Sequence, residues 1–299
     1  MYTVRAMKRP TVIVIVGPTA SGKSSYAVKL AKKIGGEVIS ADSRQVYKGL
    51  DIGTGKITKM EMQGVPHHML DVADPKKVFT ARDYVRLARP MLENIIKKGK
   101  TPIICGGTGF YIDALVGRIT IPDVPINRKL RTKLEGKSAG ELFKMLQKID
   151  PRRAREIDRH NPVRLVRALE IVVKLGKVPH PHNLDGRLYY AYGVKSLPYD
   201  ITWFGMKRPE TSLTEKIHTR LLARMKAGMV QEAKRLHANG LSYKRMHQLG
   251  LEYRHLASLL RKKVTKDEME KKLGHDIVKY AKRQLTYWKR NKEIKWIRP

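Results

Sequence analysis

An α/β fold, with a parallel sheet flanked by helices and interrupted by an all-helical insertion, is predicted by three features of the 299-residue sequence. A β-branched run enters a glycine-rich loop near the start of the chain. Short apolar strand patterns alternate with longer amphipathic stretches in the first hundred residues and resume after the middle. Between about 120 and 188 the strand patterns give way to basic helical ones. Residues 1–119 and 189–299 are therefore read as one core, and residues 120–188 as the insertion. The chain shows no internal repeat.

The first strand, Val12 to Val16, runs directly into Gly17-Pro18-Thr19-Ala20-Ser21-Gly22-Lys23-Ser24. This fits the pattern of glycine, four residues, then Gly-Lys-Ser. Ser24 to Ile34 reads as a helix ended by Gly35 and Gly36. A strand, tight loop and helix aim backbone N–H groups and a helix N-terminus at a phosphate. Lys23 is placed to neutralise a phosphoryl oxygen and Ser24 to offer a hydroxyl to Mg²⁺. An ordinary turn is the alternative.

A second strand, Glu37 to Ser40, leads to ADSRQVYKGLDIGTGK. Asp42 falls at the carboxyl end of that strand, where ligand crevices of open α/β sheets lie. It suits either a catalytic carboxylate or a loop cap. Asp51, in a glycine-rich loop, suits a turn. Adjacent side chains rarely share an ion, so His67-His68 is not read as a metal site. The His180–His182 stretch is read as a loop.

Thr80 to Lys98 has a helical apolar face of Val85, Leu87, Ala88, Met91, Leu92, Ile95 and Ile96, closed by Gly99. The strand Pro102 to Cys105 follows and runs into GGTGFY. Gly106, Gly107 and Gly109 permit close backbone approach to a ligand, and Thr108 brings a hydroxyl to the same crevice. A plain strand-to-helix turn is the alternative.

Pro122 and Pro125 mark a linker into the insertion, which reads as helices from about Asn127 to Leu175. Asn161-Pro162 starts one with a Leu165, Leu169 and Val172 stripe, and with Arg164 and Arg167 on another side. Strands are expected to resume at Leu188 to Tyr192 and Ile201 to Gly205. SLTE at Ser212 to Glu215 reads as a capping box opening a helix on which Lys216, Arg220 and Arg224 share a face. That face is either a solvated stripe or a phosphate clamp. The last helix, HDIVKYAKRQLTYWKRN, has Ile277, Ala281, Leu285 and Trp288 on one side. Tyr287 and Trp288 suit RNA contact or core packing equally.

Composition bounds the partner. Lys and Arg number 62 against 27 Asp and Glu, a formal net charge of +35, and such an excess points to a polyanion, nucleic acid above all. The single cysteine, Cys105, excludes an internal disulfide and favours a reducing, cytoplasmic setting. No apolar run reaches the length of a membrane span.

Taken in order, GPTASGKS, ADSRQVYKGLDIGTGK, VPHHMLDVADP, GGTGFYIDAL, RLVRALEI and YAKRQLTYW resemble the tRNA dimethylallyltransferase (isopentenyl-tRNA transferase) family over nearly the whole chain. The resemblance implies a P-loop NTPase-like fold whose loop holds the diphosphate of dimethylallyl diphosphate with Mg²⁺ rather than ATP. The acceptor is then the exocyclic amine of the adenosine 3′ to a tRNA anticodon, flipped out of its stack. It implies that Asp42 is the general base, that Thr108 orients the reacting groups, and that Lys23 and Arg220 neutralise the leaving diphosphate. Asp42, Ser43, Arg44, Gln45, Thr108, Arg131 and the run Val163, Arg164, Leu165, Val166, Arg167 match stretches that touch tRNA, so the insertion is expected to grip the anticodon stem-loop. A cytoplasmic monomer is expected. The alternatives are an ATP-using P-loop kinase or nucleotide-dependent RNA-binding factor, and an RNA-binding protein with an inactive phosphate loop.

Overall fold

A computed structural model describes residues 9–119, 121–179 and 198–298. Their contacts divide the chain into two compact units, one formed by 1–116 and 197–299 and the other by 117–196. Among the described residues, no helix is long and apolar enough to cross a membrane.

The first unit opens with β1 (Thr11–Val16), α1 (Lys23–Ile34), β2 (Glu37–Ser40), α2 (Lys59–Met62), β3 (His67–His68), α3 (Ala81–Lys97), β4 (Pro102–Gly106) and α4 (Gly109–Leu115). Every residue of β1 after Thr11 is buried, as is all of β4, which is the mark of central strands covered on both faces. Ile13, Ile15, Ile103 and Cys105 pack with Ala27, Val28 and Ala31 of α1. Thr80 caps α3 with a reciprocal Asp83 bond. Its buried spine is Tyr84, Ala88, Leu92 and Ile95. That face is rotated toward Tyr84 from the one expected, because the ring stacks on Tyr111 of α4 at 4.4 Å and its hydroxyl reaches Ser40 O.

The second unit holds α5 (Arg128–Leu134), α6 (Ala139–Ile149), α7 (Pro151–Glu156) and α8 (Pro162–Leu175). Leu134, Leu142, Leu146, Ala154, Leu165, Leu169 and Val172 form its core. Two acids organise its polar side. Asp150 accepts the N–H of Arg153 at the start of α7 and that of Val178. Glu170, with no side-chain exposure, accepts from Asn127 N, from Arg131 at 2.7 and 3.0 Å, and from Arg167 at 3.0 Å. Arg167 also donates to Val124 O. Arg164, by contrast, is exposed.

The chain then supplies β5 (Asp200–Met206), α9 (Glu210–Lys226), α10 (Met229–Ala238), α11 (Tyr243–Gln248), α12 (Leu251–Leu260), α13 (Lys266–Trp288) and β6 (Lys295–Ile297) to the first unit. The strands order β3-β2-β4-β1-β5-β6, and all pairs are parallel. Several expectations need correction. Helix α9 starts at Glu210, not at the SLTE box, and Thr214 turns its hydroxyl back to Glu210 O as a helix-interior residue does. Helix α13 starts nine residues before the segment read as helical, at a Thr265–Glu268 capping box. Gln284, not Leu285, is buried on its inner side. Trp288 is core: it is 1% exposed and packs on Trp203 at 6.0 Å. Strand β6 is too short and too polar to have been read. The expected strand at 188–192 and the HPH stretch lie outside the described residues.

Burial raises the Glu170 carboxyl, but the Arg131 and Arg167 bonds outweigh it and hold it below its ordinary value of 4.5. Its contribution to stability is therefore present above about pH 4.5 and lost as pH falls through the lowered value. Glu170→Ala is expected to destabilise the helical unit by about 2 kcal/mol, discounted for the half-exposed arginines. Thermal melts should show the wild type losing this advantage over the variant as pH is taken below the ordinary carboxyl value of 4.5.

Candidate active site

The phosphate-loop sequence folds around three unusual backbone positions. Gly17 has φ +147°, and a Cβ there would lie 2.7 Å from Met206 O, so only glycine lets β1 turn against the end of β5. Ala20 sits at φ +60° and Gly22 at φ +94°, which curls the loop into the start of α1. Gly22, the N-cap, has no side chain to cap the helix, so first-turn N–H groups face the loop's concavity. Lys23 opens α1 and donates to Pro18 O at 2.6 Å.

Beyond the ends of β1, β2 and β4 lies a cavity of about 330 Å³. Its wall includes Thr19, Lys23, Ser24, Asp42, Ser43, Arg44, Gln45 and Arg220 of the expected residues. Gly17, Pro18, Ala20, Ser21 and Gly22 shape the loop without lining it. Asp42 accepts the N–H groups of Arg44 (2.8 Å) and Gln45 (3.3 Å), both on Oδ1. It is thus a loop cap, and the cap leaves Oδ2 out. Thr108 is not part of the wall. Its hydroxyl oxygen accepts from Ser43 N at 3.0 Å, and its own N–H bonds Ala41 O, so it holds the Asp42 turn from below. Arg131 and Val163 to Arg167 belong to the helical unit, where Arg131 and Arg167 are engaged with Glu170.

The glycines after β4 have a use beyond the one expected. A Cβ on Gly106 would lie 2.1 Å from Ala41 O, one on Gly107 2.1 Å from Gln284 Nε2, and one on Gly109 2.1 Å from the Tyr287 ring. They admit protein, the Asp42 strand end on one side and α13 on the other, and Gly106 and Gly107 also line the cavity.

Wall residues outside the expected set include Tyr280, Arg283, Gln284, Glu252 and Arg254. Tyr280, Arg283 and Gln284 have i, i+3, i+4 spacing, which places them on one side of α13. Gln284 accepts from Thr19 N at 2.9 Å and donates to Gly107 O at 3.0 Å, so one amide joins the phosphate loop to the second glycine loop. Arg283 lies over the Tyr280 ring. Arg220 and Arg224 do share a role: they donate to Gly55 O and Gly53 O, each at 2.7 Å. Asp51 pairs with Lys56, which also reaches Asp71 and Tyr47 O, so the loop is pinned at its base. His68 bonds Glu37, and His67 bonds Val65 O, so both rings serve the β3 edge. His67 also lines the cavity, and burial lowers its pKa below the ordinary 6.5.

The cavity's electrostatics turn on Lys23. Desolvation is the main effect and lowers its amine to about 8, against the pull of Cys105 and Asp42 toward higher values and with help from Arg220. Burial raises the neighbouring Cys105 thiol to about 11, which keeps it protonated and inert. Lys23, Arg44, Arg220, Arg254 and Arg283 thus share the wall with Asp42 and Glu252, an arrangement chemically suited to an anionic group.

Comparison with known proteins agrees with this geometry. The family model described as IPP transferase matches residues 45–291. The chain belongs to the IPP transferase family. It is 40% identical to a tRNA dimethylallyltransferase 2 of Treponema denticola, over 95% of each chain. It is 38% identical to a tRNA dimethylallyltransferase of Carboxydothermus hydrogenoformans, over 95% of this chain and 90% of that one. Among solved structures it superposes on the full-length tRNA isopentenylpyrophosphate transferase of Bacillus halodurans with a TM-score of 0.70, 34% identity, and coverage of 97% of this chain and 90% of the other. A eukaryotic dimethylallyltransferase acting on tRNA matches with a TM-score of 0.80 at 25% identity, over 97% of this chain and 74% of its own. The IPP transferase assignment fits a parallel sheet that carries a phosphate loop after β1 and a carboxylate after β2, with β4 between them.

The lowered Lys23 value has a direct consequence. Below about pH 8 the amine is a cation, and above it the charge is lost. Affinity for inorganic pyrophosphate, followed by calorimetry, should fall as pH rises through about 8. Lys23→Met should bind weakly throughout and lose that step, leaving only the probe's own ionisation.

Proposed function

We propose that this chain transfers the dimethylallyl group of dimethylallyl diphosphate to the exocyclic amine of the adenosine 3′ to a tRNA anticodon, releasing diphosphate. The observation that carries the reading is the meeting of Lys23, Arg220 and Asp42 at one cavity outside the strand ends. The family membership and the tRNA dimethylallyltransferase relatives support it.

The diphosphate sits in the phosphate loop, with its charge met by Lys23, Arg220 and the first-turn N–H groups of α1. Ser24 offers a hydroxyl, and the diphosphate supplies further hard oxygens, a donor set that suits Mg²⁺. When bound, Mg²⁺ adds positive charge against the leaving group. The amine nitrogen attacks the first carbon of the allyl group as the carbon–oxygen bond to diphosphate breaks. The electron pair of that bond leaves with diphosphate, where Lys23 and Arg220 meet it. The amine proton passes to Asp42, whose Oδ2 is left out of the loop cap. Thr108 keeps that carboxylate in place through Ser43. The adenosine must leave its stack to reach so confined a site.

The anticodon stem-loop is the acceptor's carrier. The net charge of +35 favours it, and the helices α5 to α8 of the insertion carry basic residues suited to its phosphates. Arg164 of α8 is exposed and free to meet a phosphate, whereas Arg131 and Arg167 spend donors on Glu170. The enzyme works as a cytoplasmic monomer.

Two outcomes test this. Asp42→Asn should lower turnover by about a hundredfold or more while tRNA still binds, read by mass spectrometry of tRNA nucleosides after incubation with dimethylallyl diphosphate and Mg²⁺. Near-normal turnover, or coupled consumption of ATP, removes the assignment. Arg164→Gln should reduce the slope of log affinity for tRNA against log salt by about one, measured between about 50 and 200 mM. Pyrophosphate affinity should not change.

A further inference from the structure

Glu232 of α10 lies outside the cavity wall, yet its carboxylate is 1% exposed and takes four hydrogen bonds. Oε2 accepts the N–H groups of Asp51 (3.0 Å) and Ile52 (2.7 Å), and Oε1 accepts Gly53 N (2.9 Å) and the Tyr253 hydroxyl (2.6 Å). Three successive backbone donors converging on one buried anion fix the loop's backbone as a side-chain contact does not. The sequence accommodates this closely. A Cβ on Gly53 would lie 2.7 Å from the Tyr253 hydroxyl and 3.1 Å from Glu232 Oε1.

With its N–H groups turned toward Glu232, the loop presents carbonyls to α9. Gly53 O accepts from Arg224, which also bonds Glu252 of the cavity wall. Gly55 O accepts from Arg220, and Gly55, at φ +59°, would place a Cβ 2.4 Å from that guanidinium. One carbonyl uses one of five guanidinium donors and leaves the rest for an oxyanion.

We infer that Glu232 is a positioning residue for the diphosphate site: it shapes the 51–55 loop so that the Gly55 carbonyl holds Arg220 at the cavity and the Gly53 carbonyl holds Arg224 beside Glu252 of its wall. The inference rests on the diphosphate reading above. Losing the carboxylate would free the loop and let Arg220 take solvent-facing rotamers, so the anion would pay the cost of ordering it on binding.

Glu232→Gln keeps the size but turns an amide NH₂ toward N–H donors. Tyr253→Phe removes one bond and leaves the three backbone ones, so it tests the same hub where the first variant does not fold. The measurements are calorimetric affinity for inorganic pyrophosphate, affinity for tRNA, and the melting temperature, for each variant alone and combined with Arg220→Gln. Glu232→Gln should weaken pyrophosphate by about tenfold, and Tyr253→Phe by about threefold, with tRNA affinity unchanged. Combined with Arg220→Gln, either change should add little, because both act through that guanidinium. Unchanged pyrophosphate affinity in folded variants, or effects that multiply fully with Arg220→Gln, overturns the inference and leaves Glu232 a prop of the fold. If Arg220→Gln alone leaves pyrophosphate affinity untouched, the diphosphate reading of Arg220 falls and the inference falls with it.

Discussion

The side-chain amide of Gln284 bonds two loops that are far apart in sequence, and the geometry of the cavity follows from that junction. Its oxygen fixes Thr19 N in the phosphate loop, and its nitrogen fixes Gly107 O after β4. An amide suits the place because it carries an acceptor and donors on one rigid plane. The Gly107 contact is possible only because position 107 has no Cβ. The loop after β4 then bonds the Asp42 turn through Thr108, so the carboxylate is located relative to the phosphate loop by three connected hydrogen bonds. Position is transmitted through polar bonds in a site where each lost partner leaves a buried group unsatisfied.

The cations of the wall are placed by another means. Lys23 opens α1 and Arg220 lies on α9, and each is held by a backbone carbonyl, Pro18 O and Gly55 O. Carbonyl partners orient a cation without neutralising it. A carboxylate in either place would cancel the charge the site exists to provide. Nearby Glu232 and Asp51 are spent on backbone N–H groups and Lys56, and Glu252 of the wall pairs with Arg224 rather than with Lys23 or Arg220. In the helical unit Glu170 directly neutralises two arginines.

The sequence was most legible where local chemistry decides structure. Strand β1 and the start of α1 follow from a β-branched run and a glycine pattern whose torsions no other residues adopt easily. Helix α3 was legible from its period and its closing Gly99, although Tyr84 was left off the buried face because its stacking partner, Tyr111, lies on another helix. What stayed hidden depends on partners across the chain. Gln284 bonds a residue 265 positions away, and Glu232 bonds residues about 180 away, so no local pattern marks either as special. The glycines after β4 are legible as close-approach positions beside the crevice, but the protein groups that press on them, Ala41, Gln284 and Tyr287, are not. The SLTE box shows the converse limit: a capping sequence is permissive, and a helix that already continues through it ignores it.

The order of the strands has a consequence for how the protein is made. Strand β1 is paired on one side by β4 and on the other by β5, which leaves the ribosome some 190 residues later. The last wall of the cavity, from Ile277 to Gln284, belongs to the final helix. During synthesis the phosphate loop therefore exists long before it has a complete chamber, with one edge of its central strand open to any passing strand. A nascent chain can fold its α1–β4 layer early, but it becomes a molecule that encloses a small anion only when its final stretch emerges and docks.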